Sequence, residues 1–249
     1  MRYSACIEML FVPEHAEFVE RIHAARAARL EALEFWRWSN KDLDAVENAL
    51  RETGIPLAGI LCEPIAALTN GLDHERFLNG VSESLAVARR LNAPVMIAQA
   101  GNEQDGISRA EQHASIVKVL KEAARIVEGS GVVIALEPLN DRVDHPGYYL
   151  TSTEEGLDII DEVARPEIKL LYDIYHSAVM GEEITVLEGR LDRVVHVHLA
   201  DAPGRGEPGS GAMDWADRLE WLEKQGYAGL VGLEYRPTIG TVEGLAFRF

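Results

Sequence analysis

Short apolar runs that stop on a polar or charged residue recur along the 249-residue chain, with amphipathic stretches between them. The clearest is Val132 to Asn140, V-V-I-A-L-E-P-L-N. Its apolar body reads as a fully buried strand, and Pro138, which cannot donate to a sheet ladder, stops it at once. Glu137 is thereby left at the C-terminal lip. Three later stretches repeat the construction: Ile168 to Asp173, Val194 to His198 and Leu230 to Glu234. Earlier strand candidates are Tyr3 to Glu8, Ala32 to Trp36, Leu57 to Cys62 and Pro94 to Gln99.

Helical periodicity fills the intervals. Pro13 opens a run with Phe18, Ile22 and Ala25 on one face, and Trp38-Ser39-Asn40 reads as a cap for a helix from Lys41 to Thr53. Phe77, Val81, Leu85 and Leu91 share a face of the next helix. Ser108 and Glu111 form a capping box ahead of a helix that turns Ile116, Val119, Leu120, Ala123 and Val127 inward. Further helices are predicted near Thr153 to Ala164, Glu182 to Leu191 and Asp214 to Gln225. Strands alternating with helices imply a parallel sheet, and eight such units suit a closed (β/α)8 TIM barrel occupying residues 1–249 as one domain. An open doubly wound sheet is the runner-up. It would normally carry a glycine-rich phosphate fingerprint, and neither G-x-G-x-x-G nor G-x-x-x-x-G-K-[ST] occurs.

In such barrels, reactive groups come from the C-terminal ends of strands. Glu137, Asp173, His198 and Glu234 hold that place on strands five to eight. Side chains alternate along a strand, so Ala135, Leu171, His196 and Gly232 point inward one layer below them. Leu136, Tyr172, Val197 and Leu233 then face the helices. Small Ala135 and Gly232 leave room for His196. Three carboxylates converging without a cation would repel and raise each other's pKa. A divalent metal removes that conflict, and three oxygens with one imidazole suit Mn²⁺, Mg²⁺ or Co²⁺. The alternative is that each acid caps a helix or pairs with an arginine; four consecutive strands ending this way favour convergence.

Substrate contacts are expected from His176, His145, Trp36, Gln99 and Arg205. Arg205 sits on a Gly-rich loop and either clamps an anion bidentately or pairs with Glu207. Phe35 and Trp38 either join Trp36 in a pocket wall or simply pack, and Glu34, which like Gln99 ends its strand, is a further candidate to touch ligand. His15, His23, His74 and His113 read as surface residues.

Charge and composition narrow the function. A 47% hydrophobic chain can bury a large core, and a net charge of −17 argues against nucleic acid, whose phosphates need clustered Lys and Arg. Two cysteines, Cys6 and Cys62, fit neither a zinc spacing nor a disulfide framework, so a reducing compartment is expected. No segment approaches the roughly 18 apolar residues of a membrane span, and the first residues lack a leader pattern. A cytoplasmic protein without a membrane partner is the expectation.

Several motifs together resemble the hydroxypyruvate isomerase family, within the xylose-isomerase-like barrels that include ketose 3-epimerases. They are S-A-C-I-E-M-L-F at Ser4, E-P-L-N at Glu137, P-G-Y-Y-L-T-S-T at Pro146, Y-D-I-Y-H at Tyr172, H-V-H-L-A-D at His196, P-G-R-G-E-P-G-S-G at Pro203 and G-L-E-Y-R-P at Gly232. The resemblance implies metal ligation by Glu137, Asp173, His198 and Glu234, proton transfer by Glu137 and Glu234, substrate contact by His176 and Arg205, and a homo-oligomer. Two departures point toward the epimerases: His198 stands where the isomerases often carry Gln, and Ala212 replaces a Glu of their G-x-G-E loop. Val143, where epimerases carry a further Glu, points back. The implied activity is metal-assisted isomerisation of a small hydroxycarbonyl or sugar-like substrate by enediolate proton transfer. Ketose 3-epimerisation is the alternative, and endonuclease-IV-like phosphodiester hydrolysis or a non-catalytic sugar-binding barrel are the readings from other classes.

Overall fold

The computed structural model describes residues 1–248; Phe249, at the end of the apolar tail, lies outside them. Eight parallel strands close into one barrel: β1 (Arg2–Cys6), β2 (Ala32–Glu34), β3 (Leu57–Leu61), β4 (Val95–Gln99), β5 (Val133–Glu137), β6 (Ile168–Asp173), β7 (Val194–Leu199) and β8 (Leu230–Leu233). Closure is made where β1 pairs with β8, setting Ser4 opposite Gly232. Around the ring lie α1 (Phe18–Ala27), α2 (Leu43–Thr53), α3 (His74–Leu91), α4 (Arg109–Val127), α5 (Thr153–Val163), α6 (Ile174–Met180), α7 (Trp215–Lys224) and the short α8 (Thr241–Gly244).

The period of two divides the core into two parts. Leu61, Val95, Ile97, Ala135 and Leu171 form a separate cluster inside the barrel. Leu136, Tyr172, Val197 and Leu233 belong to the larger shell between strands and helices, as the alternation predicts. Leu171 is fully buried, so truncating it to alanine would cost about 2–5 kcal/mol through lost transfer energy and the cavity left behind. The α4 capping box forms: Ser108 N donates to Glu111 Oε2 at 3.0 Å and Glu111 N to Ser108 Oγ at 3.3 Å. Among the described residues no helix is long and apolar enough to cross a membrane.

Three helix boundaries differ from the sequence expectation. Helix α1 begins at Phe18, and Pro13 lies in the preceding turn. Helix α2 is capped by Asp42, which accepts from Asp44 N and Ala45 N at 3.1 Å each. The Trp38-Ser39 backbone instead donates to buried Glu63, at 2.8 and 3.0 Å. The helix expected near Glu182 to Leu191 is replaced by 3₁₀ turns at Ile184–Leu187 and Leu191–Arg193. Gly181 and Gly189 have left-handed backbones there, with φ of 80° and 74°, and β-branched Ile184, Thr185 and Val186 favour a helix weakly. The sixth helix therefore starts directly at the strand tip. Asp173 is its N-cap, accepting from His176 N at 2.9 Å. For this acid the capping role and the strand-end role coincide.

Candidate metal centre and pocket

At the C-terminal mouth, Glu137, Asp173, His198 and Glu234 each bring one ligand-type atom within 4.8 Å of all the others, and all four residues are buried. Glu137 and Asp173 end their strands, His198 is one residue short of the end of β7 and Glu234 follows β8 directly, and period-two alternation aims each inward. His198 Nδ1 is the nitrogen that faces the acids, 3.2 Å from Glu137 Oε1, 3.7 Å from Glu234 Oε2 and 3.9 Å from Asp173 Oδ2. A buried set of three carboxylates and one imidazole lone pair fits a hard or borderline divalent cation.

The buried charges of the cluster shift one another. Burial pushes Asp173 up, with Glu234 adding to the rise against His198 and Arg205. Burial acts the same way on Glu234, but His198, Arg205 and a hydrogen bond from Trp36 outweigh it and hold this carboxyl below its usual range. His198 rises well above an ordinary histidine: burial opposes its charge, yet Glu234 and Glu34 demand it.

A cavity of about 330 Å³ opens above this floor. All five expected substrate residues, Trp36, Gln99, His145, His176 and Arg205, line it together with Glu137 and Glu234. Leu61, Ile65, Ile97 and Leu139 supply an apolar wall, and Arg37 stands among the lining residues. Asp173 and His198 belong to the buried floor.

Networks fix these side chains. Trp36 Nε1 donates to Glu234 Oε1 at 2.7 Å. Arg205 does not pair with Glu207, which accepts instead from Thr238 N at 2.8 Å. Its guanidinium reaches Glu234 Oε2 at 2.5 Å and Asp144 Oδ1 at 3.5 Å, above the Tyr175 ring at 5.2 Å. Its backbone is left-handed, φ 54°, a conformation costly for a residue with a Cβ and held by these contacts. Asn140 orients His176: its N and Nδ2 both donate to Nδ1, at 3.0 and 2.6 Å. In the neutral ring the proton is then on Nε2, which is buried, has no hydrogen-bond partner among the described residues and lies 3.7 Å from Asp173 Oδ2. Burial first, then Arg205, lowers His176 to about 4, so it meets a ligand as a neutral donor.

The sequence reading missed several participants. Asp144 accepts from Asn140 Nδ2 and from the Tyr175 hydroxyl, both at 2.7 Å, and bridges to Arg205. Asn140 was visible only as the end of E-P-L-N. Glu34, expected beside the ligand, does not line the cavity; it meets His196, which faces inward as expected, with 2.7 Å between Glu34 Oε2 and His196 Nε2. His74, expected at the surface, is buried and held by Ser115 Oγ at 2.8 Å. Burial there is structural: α3 packs on α4 across it.

A closed eight-stranded parallel barrel with its polar cluster at the strand tips defines a class, and comparisons with known proteins place the chain within it. Residues 15–248 match the family model described as xylose isomerase-like TIM barrel. Hydroxypyruvate isomerase of Escherichia coli (strain K12) is 30% identical, over 98% of this chain and 97% of its own. A 2-oxo-tetronate isomerase of Cupriavidus necator is 29% identical, over 99% and 96%. Among solved structures, an AP endonuclease, family 2, from Brucella melitensis has a TM-score of 0.91 at 26% identity, covering 99% of this chain and 97% of that one. The chain belongs to the xylose isomerase-like TIM barrels and, within them, to the hydroxypyruvate isomerase family. It is an enzyme of the isomerase class.

Proposed function

We propose that this enzyme uses one divalent cation, Mn²⁺ or Mg²⁺, with Co²⁺ as a further candidate, to move a proton between neighbouring carbons of a short 2-oxo or hydroxy acid such as hydroxypyruvate. The observation that carries the reading is the convergence of Glu137, Asp173, His198 and Glu234 on one point beneath an accessible cavity. A bound cation would supply Lewis acidity at the carbonyl and neighbouring hydroxyl oxygens of the substrate. The remaining work falls to the side chains. Glu137 and Glu234 line the cavity and act as the pair that takes the proton beside the carbonyl and returns it. Arg205 and Trp36 hold Glu234 ionised and in place. His176 offers its Nε2–H to a substrate oxygen as charge develops there. The apolar wall reduces water around the reacting carbons.

A carboxylate on the substrate needs a counter-charge in a chain of net charge −17. The guanidinium of Arg205 is already shared between Glu234 and Asp144. Arg37 lines the same cavity and makes no ion pair among the described residues, so it is the better partner for that group. Its neighbour Glu8 is occupied by Lys41 Nζ at 2.8 Å. Likeness to the Brucella endonuclease raises phosphodiester cleavage, but a strongly acidic chain with one histidine in its four-residue cluster offers little to DNA.

The test is turnover by full-length protein, stripped of metal and reloaded with Mn²⁺ or Mg²⁺, on hydroxypyruvate, on a 2-oxo-tetronate and on free ketoses. Conversion of the acids supports the proposal. Selective C3 epimerisation of a free ketose would replace it with the epimerase reading, and cleavage of an abasic DNA duplex with the hydrolase reading. Cytoplasmic location and a homo-oligomeric state are part of the same proposal, to be read from fractionation and sedimentation.

A further inference from the structure

Beneath the mouth of the barrel, one carboxylate joins two imidazoles. Glu34, at the tip of β2, crosses the interior to β7, where His196 and His198 occupy successive inward positions. Each oxygen of the carboxylate faces a different ring. Oε2 is 2.7 Å from His196 Nε2, and Oε1 is 3.3 Å from His198 Nε2. The Ser4 hydroxyl adds a donor to Oε2 at 3.4 Å. A carboxylic acid is ionised at neutral pH, and the two ring nitrogens and the Ser4 hydroxyl give the Glu34 carboxylate polar partners for that charge. Glu34 and both rings are almost wholly buried, with exposures of 2%, 3% and 1%.

Such a group has no path to substrate. It does not line the cavity, and His198 stands between it and the cluster of acids. Its placement nonetheless bears directly on that cluster. An imidazole has two nitrogens, and only the one without a proton can ligate a metal. His198 turns Nδ1 to Glu137, Asp173 and Glu234, and Nε2 to Glu34. An ionised carboxylate accepts and cannot donate, so it favours a proton on Nε2 and leaves the Nδ1 lone pair for a cation. Glu34 Oε1 and His198 Nε2 have no other hydrogen-bond partner among the described residues and lie 3.3 Å apart, facing one another. His196 Nε2, 2.7 Å from Oε2, braces the other oxygen of the carboxylate.

We propose that Glu34, braced by His196, is a positioning residue that selects the tautomer and orientation of His198 and thereby sets the affinity of the four-residue cluster for a divalent cation. This rests on the metal-dependent reading above. Carboxylates behind ligating histidines tune metal sites generally, and their removal costs about 10–100-fold in affinity or activity. The sequence spacing of His196 and His198 supports the arrangement: both face inward only because they are two residues apart on one strand.

The experiment measures Mn²⁺ affinity by calorimetry on metal-stripped full-length protein, for wild type, Glu34→Gln and Glu34→Asp. Gln keeps the size but its amide can donate, favouring the wrong tautomer. Asp keeps the charge but falls short of both rings. Both variants are expected to bind Mn²⁺ roughly 10–100-fold more weakly. If Asp retained wild-type affinity while Gln lost it, charge alone would be the cause and the positioning role would be overturned. Wild-type affinity in both variants would overturn it as well. Imidazole ¹⁵N spectra of the Mg²⁺-loaded protein give a readout that does not depend on turnover: wild-type His198 should carry its proton on Nε2, and Glu34→Gln should lose that signature. Circular dichroism of each metal-free variant identifies any that fail to fold; for those, His196→Gln, which removes the brace and leaves the carboxylate, supplies the affinity comparison. A wild-type protein that binds no divalent cation at all would refute the metal-dependent function itself, an outcome separate from these.

Discussion

Replacing Gly232 by alanine should be among the most damaging single-methyl additions to this barrel. A Cβ at that position would collide with Glu34 Oε1 and lie 2.7 Å from His198 Cδ2 and 2.9 Å from His196 Nε2. Carbon atoms in comfortable contact stand about 3.5–4.0 Å apart, so several groups must move by the better part of an ångström. Overpacking of an ordinary core costs about 1–3 kcal/mol. Here the displaced atoms belong to a buried ionic cluster, and separating such partners costs about 3–5 kcal/mol, so the expected loss is at least about 3 kcal/mol. In a domain of this size each kcal/mol lowers Tm by about 2–4 °C, which predicts a fall of roughly 6–12 °C. Differential scanning calorimetry on the metal-free chain measures it. Gly71→Ala is the control: a Cβ there meets nothing within 4 Å, and the change should stay within about 0.5 kcal/mol. Equal melting of the two variants would refute the account of the barrel interior.

Other outcomes follow from the site. Glu137→Gln and Glu234→Gln should each lower kcat at least about 10²-fold while leaving far-ultraviolet circular dichroism unchanged, the loss expected for a general acid or base. A sugar-binding barrel would show no such dependence. Arg37→Ala should raise KM for a carboxylate substrate at least about 10-fold with kcat nearly kept, on the scale of one hydrogen bond to a charged group; an unchanged KM would return the anion to Arg205. Trp36→Phe removes the 2.7 Å donor to Glu234 and should raise that carboxyl's pKa, moving the acid limb of the kcat/KM profile upward. His176 is lowered from 6.5 to about 4, so NMR titration should find its ring neutral at pH 5.5, and a midpoint near 6.5 would contradict its burial. The sign for stability follows. As pH falls, the unfolded chain takes this proton before the native one, so His176 subtracts stability progressively between about 6.5 and 4.

Much of the site was legible because its signals are local. Pro138 ends β5 one residue past Glu137, and alternation along a strand assigns Leu136 and Ala135 to opposite faces without knowledge of any neighbour. The same rule orders Asp173, His198 and Glu234. Helix boundaries were harder. The Glu182 to Leu191 segment carries helix-compatible charges, and only the folded chain shows that α6 takes the position immediately after β6 and leaves two 3₁₀ turns behind it.

By itself, then, the sequence determined the eightfold strand and helix rhythm, the four ligand-type residues at strand ends and the strongly acidic balance of the chain. These follow from periodicity, proline punctuation and composition, each readable over a few residues. Barrel closure decided the rest. It brought Glu34 to His196, 162 positions along the chain, and Trp36 to Glu234, 198 positions along. It gave Arg205 to Glu234 and Asp144 in place of Glu207. Which side chains meet across a barrel depends on the stagger of strands far apart in sequence, and on small residues such as Gly232 that open the space between them. No local pattern encodes that stagger.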